Sequence, residues 1–158
     1  MTERPTESVW DYPRPPRVER SDEHVVVTHA GVVVADTTAS LRVLETSHPP
    51  TYYLPLHAFA PGVLRPAEGG SWCEWKGPAT YFDLVVGDQV VPAVAWTYPT
   101  PTKGFEALLD HVALYPGRVD RCTVDDEVVQ PQPGNFYGGW ITSRVTGPFK
   151  GAPGTSGW

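Results

Sequence analysis

Proline recurs too often in this sequence for a long helix to form. It accounts for 18 of 158 residues, spread from Pro5 to Pro153. A proline inside a helix removes a backbone donor and clashes with the preceding turn, at a cost of about 3 kcal/mol each. The same residue is tolerated in turns, at strand starts and on sheet edges. The spacing therefore predicts a mainly β chain with many extended connections.

The strand signals agree. His24 to Thr28 and Val32 to Asp36 are β-branched runs joined at Ala30-Gly31 and read as a hairpin. Arg42 to Thr46 reads as a third strand, and residues 61–70 as a loop. Trp72 to Lys76, Thr80 to Val86, Ala93 to Tyr98, Val112 to Tyr115 and Val119 to Val124 complete the main set, with Trp140 to Thr142 as a late β-like patch. Period-two alternation puts Phe82, Leu84 and Val86 on one face and Tyr81, Asp83 and Val85 on the other. Trp96 and Tyr98 likewise share a face. Only Phe105 to Asp110 shows helical spacing, which predicts one short helix near 103–110. About eight short strands and no dividing linker predict a single compact β-domain over residues 1–158. Its N-terminal (1–20) and C-terminal (131–158) segments read as extended.

Charge and cysteine content narrow the function classes. Net charge is −6 without a cluster of basic residues, which argues against nucleic acid as the partner. No apolar run reaches the ~18 residues of a membrane span, and the N-terminal residues do not read as a secretory signal. A cytoplasmic location is expected. Cys73 and Cys122 stand apart with no C-x-x-C pair, so neither a disulfide framework nor a cysteine-pair zinc site is expected. His24, His29, His57 and His111 lack metal-ligand spacing, and neither metal nor cofactor is predicted. The glycine-rich stretch from Gly134 to Trp140 lacks the Lys-Ser/Thr of a phosphate-binding loop and reads as turns.

The densest chemistry lies between Glu45 and Pro55, where Pro49, Pro50 and Pro55 stiffen a run holding a carboxylate, an imidazole and two phenols. A carboxylate near an imidazole favours imidazolium and fixes its tautomer, so Glu45 and His48 are a candidate acid–base pair. The same residues also fit a structural knot in which Thr46 and Ser47 cap the turn. Tyr52, Tyr53, Tyr81, Trp96 and Tyr98 are candidate walls for a planar or cationic ligand, or plain core. Lys76 can hold an anion, form a Schiff base if desolvated, or pair with Glu74 or Asp83 at the surface. Both cysteines read as inert thiols unless a neighbour lowers their pKa.

Several motifs, taken together, resemble a known family. They are Val9-Trp10-Asp11-Tyr12-Pro13-Arg14-Pro15-Pro16, Leu44-Glu45-Thr46-Ser47-His48-Pro49-Pro50, Trp75-Lys76-Gly77-Pro78-Ala79-Thr80-Tyr81, Ala95-Trp96-Thr97-Tyr98-Pro99, Tyr115-Pro116-Gly117-Arg118 and Gly138-Gly139-Trp140-Ile141-Thr142. They span most of the chain and resemble the domain of unknown function 427 family of small, mostly bacterial proteins. The resemblance implies a β-tent, or Mss4-like, architecture and carries a nucleotidyltransferase-like label. The sequence has no Gly-Ser turn with spaced aspartates to support that label. β-tent relatives often bind zinc through two cysteine pairs, which are missing here, and some bind small ligands in an aromatic cage.

Three functions stay open on sequence. One is a small-molecule pocket walled by Tyr52, Tyr53, Tyr81, Trp96 and Tyr98, with Glu45, His48 and Lys76 as its polar groups. The second is a hydrolase or isomerase using Glu45 and His48 at the same place. The third is an interaction protein, with the terminal segments packing on their own domain or crossing to a second subunit.

Overall fold

The computed structural model describes residues 4–134 and 137–158. Its strands are β1 (Glu7–Ser8), β2 (Arg17–Ser21), β3 (Val25–His29), β4 (Val32–Thr37), β5 (Ser40–Leu44), β6 (Thr51–Pro55), β7 (Leu64–Cys73), β8 (Gly77–Val86), β9 (Gln89–Thr97), β10 (His111–Leu114), β11 (Arg121–Val124), β12 (Glu127–Val128), β13 (Gln130–Pro131), β14 (Trp140–Ile141) and β15 (Val145–Thr146). Seven form one antiparallel sheet in the order β2-β5-β6-β10-β9-β8-β7, and four form a second in the order β12-β11-β3-β4. The chain is mainly β, as its prolines require. The β3–β4 hairpin turns through Ala30 and Gly31, both at positive φ. That pair of conformations matches the twist of the strands it joins.

The core follows from strand alternation. On β6, Tyr52 and Leu54 face the small sheet and pack with Val25, Val27, Val34, Cys122, Val124 and Trp140. Tyr53 faces the other way, into a second cluster with Leu41, Val43, Trp96, Tyr98 and Ala113. On β10 the same rule sends Val112 and Leu114 to the first cluster and Ala113 to the second. In β9, Ala93 takes a positive φ beside an irregularity in the β8–β9 register. Beyond it, Trp96 pairs with Tyr81 on one side and Ala113 on the other.

Several expectations need correcting. Residues 61–70 are not a simple loop, because β7 begins at Leu64 and runs to Cys73. It is an edge strand, mostly exposed, so it carries no alternation to read, and its edge position tolerates Pro66. Residues 17–21 form β2, the opposite edge. Thr51 to Pro55 is a full strand between β5 and β10, where the prolines had suggested a rigid turn. The helix near 103–110 is a single 3-10 turn, Glu106–Leu108, without a side-chain cap. Asp110 at positive φ stops it, and one turn is too short to hold an α-helix.

Both terminal segments pack on the body of their own chain. β1 pairs with β15 in parallel. Glu7 accepts hydrogen bonds from fully buried Arg42 (2.6 Å), from the Tyr12 hydroxyl (2.7 Å) and from Arg144 (3.3 Å). The indole of Trp10 donates to the Pro148 carbonyl at 2.8 Å and its ring lies edge-on to Trp158. Among the described residues, no helix is long and apolar enough to cross a membrane.

Candidate functional site

The second cluster does not fill its side of the large sheet. A cavity of about 330 Å³ opens there between the sheet, the 45–49 turn, the β7–β8 turn and the C-terminal segment. Five rings from four places in the chain make its walls: Tyr53, Tyr81, Trp96 with Tyr98, and Tyr115. The sheet register explains how they meet. Ala113 is paired with Trp96 and follows Val112, the partner of Leu54. A methyl at that rung lets the larger rings close over it. The Trp96 indole donates to the Tyr53 hydroxyl at 3.2 Å, with the two rings at right angles. Tyr115 lies 4.7 Å from Trp96, centroid to centroid. Burial pushes the Tyr53, Tyr98 and Tyr115 hydroxyls above the usual phenol range. They are therefore neutral donors at physiological pH.

Of the predicted site residues, Glu45, His48, Tyr53, Lys76, Tyr81, Trp96 and Tyr98 share the lining of this cavity. Tyr52 does not. As the neighbour of Tyr53 on a strand, it points through the sheet. Its ring packs on Trp140 and its hydroxyl donates to buried Glu23 at 2.9 Å. Placing Tyr52 and Tyr53 in one wall overlooked that alternation, because Thr51 to Pro55 was not read as a strand.

The 45–49 turn is held from both ends of the chain. His48 N–H donates to Glu45 O at 3.0 Å, and Ser47, at positive φ, donates to Val9 O at 3.1 Å. The Thr46 hydroxyl donates to Tyr12 O at 2.5 Å. Lys150 N–H donates to Ser47 O at 2.8 Å, and Trp140 N–H to Pro50 O at 2.8 Å. Glu45 lies 3.5 Å from Arg14 and 3.6 Å from His48 Nε2.

His48 differs in charge from the expected imidazolium. Burial, reinforced by Lys150, Arg14 and Lys76, pushes its pKa down to about 4. Gln132 fixes its tautomer. Gly139 N–H donates to Gln132 Oε1 at 3.0 Å, and Gln132 Nε2 donates to Lys150 O at 2.8 Å. With the amide so oriented, its second N–H lies 3.2 Å from His48 Nδ1 and meets a lone pair there. The ring proton therefore sits on Nε2, facing Glu45. His48 is a neutral donor whose acceptor nitrogen is already occupied.

Lys76 is only 9% exposed, and among the described residues it makes no ion pair with Glu74 or Asp83. Asp83 is bound instead to Arg65 at 3.0 Å. The Lys76 ammonium lies 5.8 Å from the centre of the Tyr98 ring. Burial works to lower its pKa, but the Tyr53 hydroxyl, the hydrogen-bonded Cys73 thiol and Glu45 turn the balance upward. It is an ammonium at neutral pH, which does not suit the Schiff-base role considered from sequence.

Sequence reasoning missed the C-terminal wall. Gln132, Tyr137, Gly138 and Lys150 all line the cavity, although residues 131–158 read only as an extended tail. The one available signal was the glycine pair at 138–139. A Cβ on Gly138 would fall 2.4 Å from the Trp96 ring, so glycine is what lets this segment close on the site. Of the glycine-rich stretch, Asn135 and Phe136 lie outside the described residues. Cys73 lines the cavity, whereas Cys122 is buried in the first cluster with its pKa pushed up to about 12. Among the described residues, no three His, Cys, Asp or Glu side chains converge as a metal site.

Fold and site together define a small antiparallel β protein with an aromatic-walled cavity. The chain belongs to the family described as Domain of unknown function (DUF427), which matches residues 17–125. No curated protein matches the chain.

Proposed function

We propose that the protein binds a small polar or planar molecule in the cavity walled by Tyr53, Tyr81, Trp96, Tyr98 and Tyr115. One observation carries this reading: the rings and three polar groups, Glu45, His48 and Lys76, come from distant parts of the chain yet line one space of about 330 Å³. Apolar walls with a few converging polar groups are the usual make-up of a ligand site, and that volume suits a small metabolite. The acid–base alternative draws less support. His48 holds its proton on the nitrogen that faces Glu45 and offers its lone pair to Gln132, so it is arranged to donate to a ligand and not to accept a proton from one. The β-tent architecture and a cytoplasmic location belong to the same proposal. The antiparallel sheets and the two free cysteines support them in turn.

Thermal-shift screening against a metabolite library tests the binding reading, because a ligand that binds only the native state raises apparent stability. Hits are expected with the wild type and lost with Trp96→Leu. Hits that survive this substitution unchanged, or a screen with none, count against the cavity as the site.

A further inference from the structure

An aromatic box is usually a receptor for a cation, but this one already contains its own. The Lys76 ammonium sits inside the ring cluster beside Tyr98, nine-tenths buried, with no carboxylate paired to it among the described residues. A cationic ligand would meet that charge in a poorly screened space and be repelled. The other charged groups on the lining are Glu45, the exposed Glu74 and Lys150. Glu45 is neighboured by Arg14 at 3.5 Å. The Lys150 ammonium donates to the main-chain oxygen of Trp158 at 3.0 Å and lies over the Tyr137 ring. His48 is neutral with an N–H donor. Lys76 is the charge buried within the ring cluster, surrounded by π-faces and neutral donors.

Building on the reading of the cavity as a ligand site, we propose that the ligand is an aromatic or planar monocarboxylate whose carboxylate is held by Lys76 and whose ring lies among Tyr53, Trp96 and Tyr98. A buried ammonium gains most from an anion brought into the same low-dielectric space. The Glu45 carboxylate on the lining disfavours a second negative charge, so a monoanion fits better than a phosphate dianion.

Matched probes test the charge assignment in the full chain. Benzoate and indole-3-carboxylate are titrated by calorimetry against benzamide and indole-3-carboxamide, with phenyl phosphate as a dianion control. The wild type is expected to prefer each acid to its amide by at least about tenfold, the scale of a hydrogen bond to a charged group. Lys76→Met, which keeps an unbranched apolar stem among the rings, is expected to erase that preference. Equal binding of acid and amide by the wild type overturns the proposal without needing any variant. So does a preference that persists in Lys76→Met, or phenyl phosphate outbinding benzoate. In each of these cases the probes still bind, so the cavity remains a ligand site and only the charge assignment falls. If no probe binds at millimolar concentration the monocarboxylate proposal is overturned, and the metabolite screen decides the broader reading separately.

Discussion

Protonating His48 should weaken the fold in a defined pH window. In the unfolded chain its imidazole titrates near 6.5, whereas in the folded protein burial and three nearby cations hold it down to about 4. Above pH 6.5 the ring is neutral in both states and has no effect on the balance. Between 6.5 and 4 the unfolded chain takes up a proton that the native state refuses, so stability falls as the pH falls. The local slope approaches 1.36 kcal/mol per pH unit. Across the window the loss reaches at most roughly 3 kcal/mol, and somewhat less because the side chain keeps 14% exposure. Urea unfolding of the wild type and of His48→Gln at half-unit intervals from pH 7.5 to 3.5 isolates this residue, since both proteins share every other titrating group. The stability difference between them should move in favour of the variant as pH drops, and level off below about pH 4. Nitrogen-resolved NMR of the imidazole should show the Nε2–H tautomer at neutral pH. Parallel stability curves, or a ring that titrates near 6.5 in the native state, would refute the burial argument, and an Nδ1–H ring would refute the tautomer.

Three further outcomes follow from the packing. Trp140 is fully buried against Tyr52, so Trp140→Ala should cost about 3–5 kcal/mol in chemical denaturation; a loss under 1 kcal/mol would mean that the first cluster is not the main core. Glu7→Ala removes the carboxylate shared by Arg42, Tyr12 and Arg144 and leaves a fully buried guanidinium without its closest acceptor. The expected loss is about 3 kcal/mol, with faster amide exchange in residues 7–12, and unchanged exchange there would contradict the anchoring role. Gly138→Ala forces a methyl into the Trp96 ring and should cost about 1–3 kcal/mol while altering the near-UV circular dichroism of the aromatic cluster; a superimposable spectrum would show that the ring has room to spare.

The sequence made the β class legible because proline density and β-branched runs are local signals that the tertiary fold only has to accept. Trp96 and Tyr98 were assigned to one face correctly for the same reason, since a single strand carries its own alternation. What failed depended on neighbours. β7 looks like a loop because an exposed edge strand needs no apolar face, and its Pro66, Gly69 and Gly70 are all tolerated there. β6 looks like a turn because Pro49, Pro50 and Pro55 bracket it, although only Pro55 lies in the strand, at its end. That one misreading put Tyr52 in the wrong wall. Glu45 and His48 were paired correctly in space, but the charge on the imidazole was not readable. It is set first by burial that no local pattern reports, and then by Lys150, Arg14 and Lys76, which lie far from it in sequence.

The stretch that defines the family ends at residue 125, and the cavity does not. Arg14, which steadies Glu45, precedes the matched residues. Gln132, Gly138 and Lys150, which orient His48 and close the space over Trp96, follow them. A fragment cut at the family boundaries would keep Tyr53, Lys76, Tyr81, Trp96 and Tyr98 but lose the lid-side wall and the device that sets the histidine tautomer. The matched centre of the chain supplies most of the rings, and its flanks set the shape and polarity of the space between them.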